Sequence, residues 1–357
     1  MSEESDGLIE KPLPSELFYD HGGNTETRWE AMAEGGYTTP NDRFYVRSHG
    51  PTPKIDAASW TLRVEGPGVS RGLTLSYEDL LALPAVSVTR VLECAGNGRI
   101  FFAEQERREA EGTPWRLGAV GVAEWTGVPL RRLLEEAGLE SSAVEVMPEG
   151  LDEPRLARPL PREKALADGT ILAHTMNGER LPPDHGYPAR VIVPGWAAVA
   201  SVKWVGRIFV SAEPLLTYWN TEEYVLIGPD YEPQEGPGRG PAITVTYVNS
   251  ALELPWPARL PEGPNTITGR AWSGAGAISQ VEYSIDGGYW QPARLTGPNM
   301  PGAWTRFELD WKARPGEHEL RTRATDERGN TQPDSVPYNE QGYLYNAVVA
   351  HPVAISR

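Results

Sequence analysis

Apolar positions in this chain fall into short runs broken by glycine and proline, and helical spacing is confined to brief segments. Val86-Ser87-Val88-Thr89-Arg90-Val91-Leu92 is rich in β-branched residues and predicts a strand, which opens into the turn signal Gly96-Asn97-Gly98. Trp60 to Gly66 predicts another strand ending at a turn, and Ile171 to Glu179 a strand and turn. Alternation of Phe44 and Val46 with Tyr45 and Arg47 predicts a short strand running into the proline-bounded loop at Gly50-Pro51. Ser76 to Pro84 reads as a helix capped by Ser76, with Asp79 placed to complete a capping box and Pro84 as the stop. A second helix spans 130–137, with Leu130, Leu133, Leu134 and Ala137 on one face and Gly138 just beyond the end. A third, over 161–167, has Pro161 at its first position. Past residue 240, strand-like runs recur at 243–248, 265–272, 280–285, 289–295, 304–309, 317–324 and 343–349, with Asp286-Gly287-Gly288 as a hairpin signal. Many short strands between turns predict a β-sandwich.

The pattern implies an α+β chain of two domains. A mixed α/β domain occupies 1–235, opened by an irregular polar arm over 1–42, and the sandwich occupies 241–357. The boundary is the stretch Pro233 to Pro241, rich in proline and glycine. A chain of 357 residues with 37 glycines and 33 prolines suits a loop-rich fold that still buries a sizeable core. The net charge of −16 argues against nucleic acid and anionic membrane surfaces as partners. No apolar run approaches the roughly 18 residues of a membrane span. The acidic start, Met1 to Asp6, lacks the basic and apolar regions of a secretory signal and a twin-arginine pair. A cytoplasmic location is expected, or a periplasmic one if an export signal precedes the sequence.

Cys94 is the one cysteine, so no intrachain disulfide can form. It sits where a strand opens into a glycine loop whose backbone leaves room for close approach, and Arg99 follows the turn. A lone cysteine is as readily a small buried hydrophobe as a reactive thiol, so the assignment needs a partner. Further on, His185, Arg190 and Lys203 flank apolar strands in an otherwise acidic chain, and converging on one point they would bind a phosphate.

Glu93-Cys94-Ala95-Gly96-Asn97-Gly98-Arg99 resembles the cysteine loop of the sulfite oxidase family of molybdenum enzymes. Other segments are similar to that family in chain order: Phe44-Tyr45-Val46-Arg47-Ser48-His49, Trp115, Gly150-Leu151-Asp152, and the stretch from Asp184 through Lys203. The resemblance implies a molybdopterin-binding domain of sulfite oxidase type followed by an immunoglobulin-like sandwich that makes a homodimer. It implies one molybdenum–molybdopterin per chain with Cys94 as the protein ligand to the metal, a soft donor suited to that role. It places Tyr45, Arg47, Ser48, His49, Asp152, His185, Arg190, Ser201, Val202 and Lys203 on the cofactor, with Arg47, Arg99 and Trp115 at the substrate. The implied reaction is oxidation of sulfite to sulfate by oxygen-atom transfer. No haem segment is visible, so electrons pass to a separate acceptor such as a cytochrome.

Three positions depart from the family pattern. Ser48 stands for an asparagine, His174 for a tyrosine, and Gln341 for an arginine of the anion site. His174 and Gln341 are therefore added to the candidate catalytic residues. A neutral Gln341 weakens anion binding, which leaves reduction of a sulfoxide or another oxyanion as an alternative. A binding module that has lost its metal is a third.

Overall fold

In the computed structural model, residues 8–33, 35–232 and 234–356 are described. The first seven residues of the expected arm and Pro233 of the expected boundary lie outside them. The protein is mostly β, and the longest helix among the described residues, Leu130–Glu136, has 7 residues. Such a segment is too short to hold a helix alone. Its Leu130, Leu133 and Leu134 are fully buried, each contributing about 2 kcal/mol by leaving water, so packing rather than intrinsic propensity holds the segment helical. Gly138 follows at φ +78°, as the stop signal requires. Helix Tyr77–Ala82 carries the expected reciprocal cap between Ser76 and Asp79. Pro161 stands one residue earlier than expected, as the N-cap of helix Arg162–Ala165.

The β-branched run forms strand Val86–Glu93. It pairs antiparallel with Val120–Pro129, which pairs with Ile171–Met176; Glu179–Arg180 and Arg190–Ile192 complete that sheet. A second sheet runs Leu73–Ser76, Thr61–Glu65, Val205–Ser211, Glu145–Gly150, Leu160–Pro161, with its one parallel pair between Thr61–Glu65 and Val205–Ser211. Their apolar faces close on one core that includes Leu62, Val64, Val128, Leu172, Val191 and Ile208.

The C-terminal part is two further sheets. One runs Asn249–Leu252, Gly263–Trp272, Trp304–Ala313, Arg294–Thr296, and the other Ala258–Pro261, Ala350–Ser356, Gly316–Asp326, Ile278–Ile285, Gln291–Pro292. Ile267, Phe307 and Leu309 of the first meet Val281, Leu320 and Val353 of the second.

Four expectations are corrected. The run 44–47 is not a strand: it contributes only an isolated bridge between Thr25 and Val46. Phe44, Tyr45 and Val46 are all buried, so no solvated face exists, and the Lys11 ammonium takes the Phe44 carbonyl in place of a strand neighbour. The runs 243–248 and 343–349 are extended coil. Their backbone groups bond to the first half, as Leu344 N–H does to the Ala95 carbonyl. The run 289–295 divides into Gln291–Pro292 and Arg294–Thr296, which join different sheets. An unexpected helix, Ile100–Glu104, follows the cysteine loop because Phe101 and Phe102 bury together there.

The two halves share a core. Val91, Phe101, Phe102 and Val120 pack with Trp272, Trp304, Tyr345 and Val349. The arm is fastened across both: Tyr37 O–H donates to the Trp304 carbonyl at 2.6 Å, and Trp304 Nε1–H donates to the Tyr37 carbonyl at 2.7 Å. No helix among the described residues is long and apolar enough to cross a membrane.

His351 ties the last strand to residue 255, its Nε2 lying 2.9 Å from the Pro255 carbonyl with the Trp256 ring edge-on at 4.6 Å. Burial holds its pKa down to about 4. The unfolded chain takes up this proton near pH 6.5 and the folded chain only near 4, so stability is full above pH 6.5 and lost as pH falls through that window. Between those values the wild type should lose roughly 3 kcal/mol more than His351→Phe. Urea unfolding of both proteins from pH 7 to 4 checks this; parallel curves would refute it.

Candidate active site

The cysteine loop is built by local hydrogen bonds at the end of strand Val86–Glu93. Cys94 N–H donates to the Ala119 carbonyl and Asn97 N–H to the Cys94 carbonyl, each at 2.9 Å. The Asn97 side chain receives Ala119 N–H at 3.0 Å and donates to Glu93 Oε1 at 2.9 Å. Burial pushes Glu93 up to about 7. The space the glycines leave is used by the chain itself: a Cβ on Gly96 would stand 2.5 Å from Arg99 Nη2. Arg99 folds back over the loop and donates from Nε to the Gln341 carbonyl at 2.9 Å and from Nη1 to the Thr113 carbonyl at 2.8 Å.

Cys94 faces an open cleft that it shares with Arg47, Asp152, His185, Arg190 and Lys203. The second wall comes from the segment 184–204. Gly186, at φ +111°, turns the chain so closely that a Cβ there would lie 2.9 Å from Arg190 Cβ and 3.1 Å from Lys203 Cβ. Only glycine fits both the left-handed conformation and that gap. The result gathers His185, Arg190 and Lys203. Arg190 donates to the carbonyls of His185 (3.1 Å) and Ser201 (2.9 Å), and Lys203 to Ser48 Oγ (2.6 Å) and the Asp184 carbonyl (2.9 Å). The Asp184 carboxylate is occupied elsewhere, accepting from the N–H groups of Glu10 and Lys11 and from the Thr52 hydroxyl.

Crowded cations in a dry pocket repel one another. Burial and then Arg190 push Lys203 well below the ordinary ammonium range, and burial brings Arg190 down to about 10. Burial followed by Lys11, Arg190 and Lys203 keeps His185 neutral. His185 Nε2 and Arg190 Nε are buried without a partner. Buried polar atoms without partners are costly; an anion with several acceptor oxygens would take the Arg190 Nε–H, relieve the repulsion and draw His185 toward the protonated form in which Nε2 donates as well. Asp152, also on the cleft, is raised by burial and accepts Leu156 N–H at 3.2 Å.

Tyr45, Arg47, His49 and Tyr224 also line the cleft. Arg47 donates to the Ser48 carbonyl. Burial, with Arg47 and Lys203, holds His49 down to about 3, so its ring is neutral beside the Tyr224 hydroxyl at 3.0 Å. Burial pushes Tyr224 up to about 12 and the Cys94 thiol up as well, the latter against the pull of Arg47 and Arg99. Among the described residues no group of three or more His, Cys, Asp or Glu could hold a metal ion. A metal at Cys94 would therefore need its remaining donors from a bound group, which the donor set of a pterin dithiolene provides.

Tyr45, Arg47, Ser48, His49, Cys94, Asp152, His185, Arg190, Ser201, Val202 and Lys203 all line the cleft. Four expected residues do not. Arg99 is folded back onto its own loop by the Gln341 and Thr113 carbonyls, where its charge still acts on Cys94. Trp115 is fully buried in the same apolar cluster as Cys94, edge-on to His21 at 5.2 Å. His174 sits on strand Ile171–Met176 with Nδ1 2.9 Å from the Thr175 hydroxyl. Gln341 turns away, donating to the Glu222 carbonyl at 2.9 Å. A second tyrosine of the cleft, Tyr224, comes from the stretch just before the Pro233 to Pro241 boundary. The signal present there was its aromatic content, Tyr218, Trp219 and Tyr224, unusual for a solvated linker.

Residues 49–219 match the family model described as oxidoreductase molybdopterin binding domain, and residues 241–357 match the Mo-co oxidoreductase dimerisation domain. The chain is 39% identical to a sulfite oxidase of Gallus gallus over 346 residues, covering 91% of this chain and 74% of that protein. It is 36% identical to the mitochondrial sulfite oxidase of Macaca fascicularis, covering 91% of this chain and 63% of that one, so the relative is considerably longer. Among solved structures, the sulfane dehydrogenase SoxCD of Paracoccus pantotrophus superposes with a TM-score of 0.83 at 30% identity, covering 98% of this chain and 91% of that one.

Proposed function

Because the chain belongs to the sulfite oxidase family of molybdopterin-binding oxidoreductases, we propose that it binds one molybdenum–molybdopterin and oxidises sulfite to sulfate. The net reaction joins sulfite and water to give sulfate, two protons and two electrons, the electrons leaving to a separate acceptor. The observation that carries this reading is the meeting in one cleft of a single thiol, Cys94, with cations whose donors go only to carbonyl and hydroxyl oxygens.

When bound, the cofactor supplies the transferred oxygen and takes up the two electrons. The chain does the rest by position and charge. Cys94 holds the metal. His185, Arg190, Lys203 and Ser48 hold the phosphate end, and Asp152 accepts N–H groups of the pterin ring. Arg47 draws the anion toward the thiol and orients it, with Arg99 adding positive potential from behind the loop. Tyr224, protonated at neutral pH and set by the neutral His49, offers a hydroxyl hydrogen bond. The C-terminal pair of sheets is an immunoglobulin-like sandwich that joins two chains, in keeping with the dimerisation-domain match.

A second reading, reduction of a sulfoxide or another oxyanion, rests on position 341 bringing no cation to the cleft, Gln341 being turned to the Glu222 carbonyl instead. Protein from a host that makes molybdopterin should carry close to one molybdenum per chain by elemental analysis. Its steady-state rate with sulfite should exceed its rates with nitrate and methionine sulfoxide. Full metal with a far lower sulfite efficiency would move the assignment to the second reading; protein without metal, from a host of verified supply, would reject both.

A further inference from the structure

Tyr343 belongs to none of the motifs above, yet it touches the site twice. Its ring lies parallel to that of Tyr224, with centroids 5.2 Å apart and planes 14° apart. The Arg99 guanidinium carbon is 5.2 Å from the same Tyr343 centroid. The Tyr343 hydroxyl donates to Glu223 Oε2 at 2.8 Å, while Glu223 Oε1 faces the Tyr218 hydroxyl at 3.4 Å. The turn that delivers Tyr343 is tightly held. Tyr343 N–H donates to Asn339 Oδ1 at 2.6 Å, Asn339 Nδ2 donates to the Tyr343 carbonyl at 2.8 Å, and Leu344 N–H donates to the Ala95 carbonyl at 2.7 Å. A turn of the C-terminal half thus reaches the cysteine loop and sets one aromatic ring against both a phenol and a guanidinium.

We propose that Tyr343 is a positioning and specificity residue of the oxyanion site, and that Glu223 both anchors it and limits how tightly the anion is held. The proposal rests on the oxyanion reading. Arg99 has its Nε and Nη1 committed to carbonyls, and the Tyr343 ring packs against the guanidinium so oriented and keeps it there. The same ring prevents Tyr224 from swinging away from His49. Glu223, held by the Tyr343 hydroxyl, places a carboxylate whose charge reaches the Arg47 guanidinium, lowering the positive potential that an incoming dianion meets. A dianionic product must also leave, and a site with less negative charge nearby would retain it.

The variants separate these roles. Tyr343→Phe keeps the stack and loses the hydroxyl; Tyr343→Ala loses both; Glu223→Gln keeps an acceptor for the hydroxyl and loses the charge. Glu232→Gln, an exposed acid with no contact to the site, controls for net charge. Two readouts on the cofactor-loaded protein are used: KM and kcat for sulfite, and sulfate affinity by isothermal titration calorimetry. Tyr343→Ala should raise KM about tenfold and lower kcat as well. Tyr343→Phe should stay within about threefold of wild type if the stack alone holds the ring. Glu223→Gln should tighten sulfate binding by about three- to tenfold and lower KM with it, which a merely structural residue would not do. Glu232→Gln should change neither. If Tyr343→Ala fails to fold, Glu223→Gln against Glu232→Gln still decides. Unchanged sulfate affinity in Glu223→Gln, with wild type binding sulfate, overturns the proposal and leaves the oxyanion reading intact. A loaded wild type that neither binds sulfate nor oxidises sulfite overturns both.

Discussion

Cys94→Ser should lower sulfite turnover at least about 10³-fold, equivalent to roughly 4 kcal/mol of transition-state stabilisation, while the protein remains folded. The loop around Cys94 is held by backbone groups and by Asn97, and the sulfur itself takes only the Gly96 N–H, which a serine oxygen can also accept. A serine hydroxyl fits the same space and leaves those bonds in place. What changes is the donor. A thiolate is soft and strongly donating, and an alkoxide is hard and forms only at a far higher pH. Because His185, Arg190 and Lys203 hold the other end of the cofactor, the variant should retain pterin while losing metal or its reactivity. Elemental analysis, pterin content and kcat on one preparation check this. A serine variant with near-normal kcat would end the assignment of Cys94 as the metal ligand.

Glu253→Ala should cost about 3–5 kcal/mol, a large part of the stability of a typical domain. Glu253 and Arg270 are both fully enclosed, with Arg270 Nε donating to Glu253 Oε1 at 2.6 Å. Arg306 meets the other carboxylate oxygen at 2.9 Å. Arg270 also donates to the carbonyls of Met32, Gly36 and Tyr37, so the triad fastens the arm to the second half. Removing the carboxylate strands a guanidinium in a dry interior, which costs more than the pair contributes. The paired replacement Arg270→Met with Glu253→Leu should therefore lose less than the sum of the single changes. Urea unfolding of the three variants measures the coupling. A loss below about 1 kcal/mol in Glu253→Ala would show that water or a rearranged partner compensates the charge.

Much of the site was legible because its parts are close in sequence. His185, Arg190 and Lys203 lie within one segment that a single left-handed glycine folds on itself, and Cys94 lies at a strand end beside a turn signal. Residues that arrive from afar were not legible. Lys11 comes from the arm, Tyr224 from a stretch whose acids and prolines hid three aromatics, and Tyr343 from a coil that reads as a strand. His174, Trp115 and Gln341 were each expected at the pocket. Local pattern can say that a residue is on a strand or in a turn, but which neighbour covers it depends on pairing across hundreds of residues. His174 meets its own neighbour Thr175, Trp115 meets His21, and Gln341 meets Glu222.

The same division holds for the fold. Periodicity, caps and turn chemistry are short-range effects, so the sequence alone determined the short helices at Tyr77–Ala82 and Leu130–Glu136, the strand leading to Cys94, and the β-rich second half. It also determined the chemistry available: one soft thiol, and cations gathered within an acidic chain. Tertiary structure decided which of those groups face one another. It turned 243–248 and 343–349 from strands into coils, because their N–H and C=O groups find partners in the first half. It joined the two halves through a common apolar core. It also left His185 Nε2 and Arg190 Nε buried without partners, because the turn carrying His185 and the strand carrying Arg190 pack into a dry wall whose carbonyls are already taken, and a bound anion supplies the missing acceptor for Arg190.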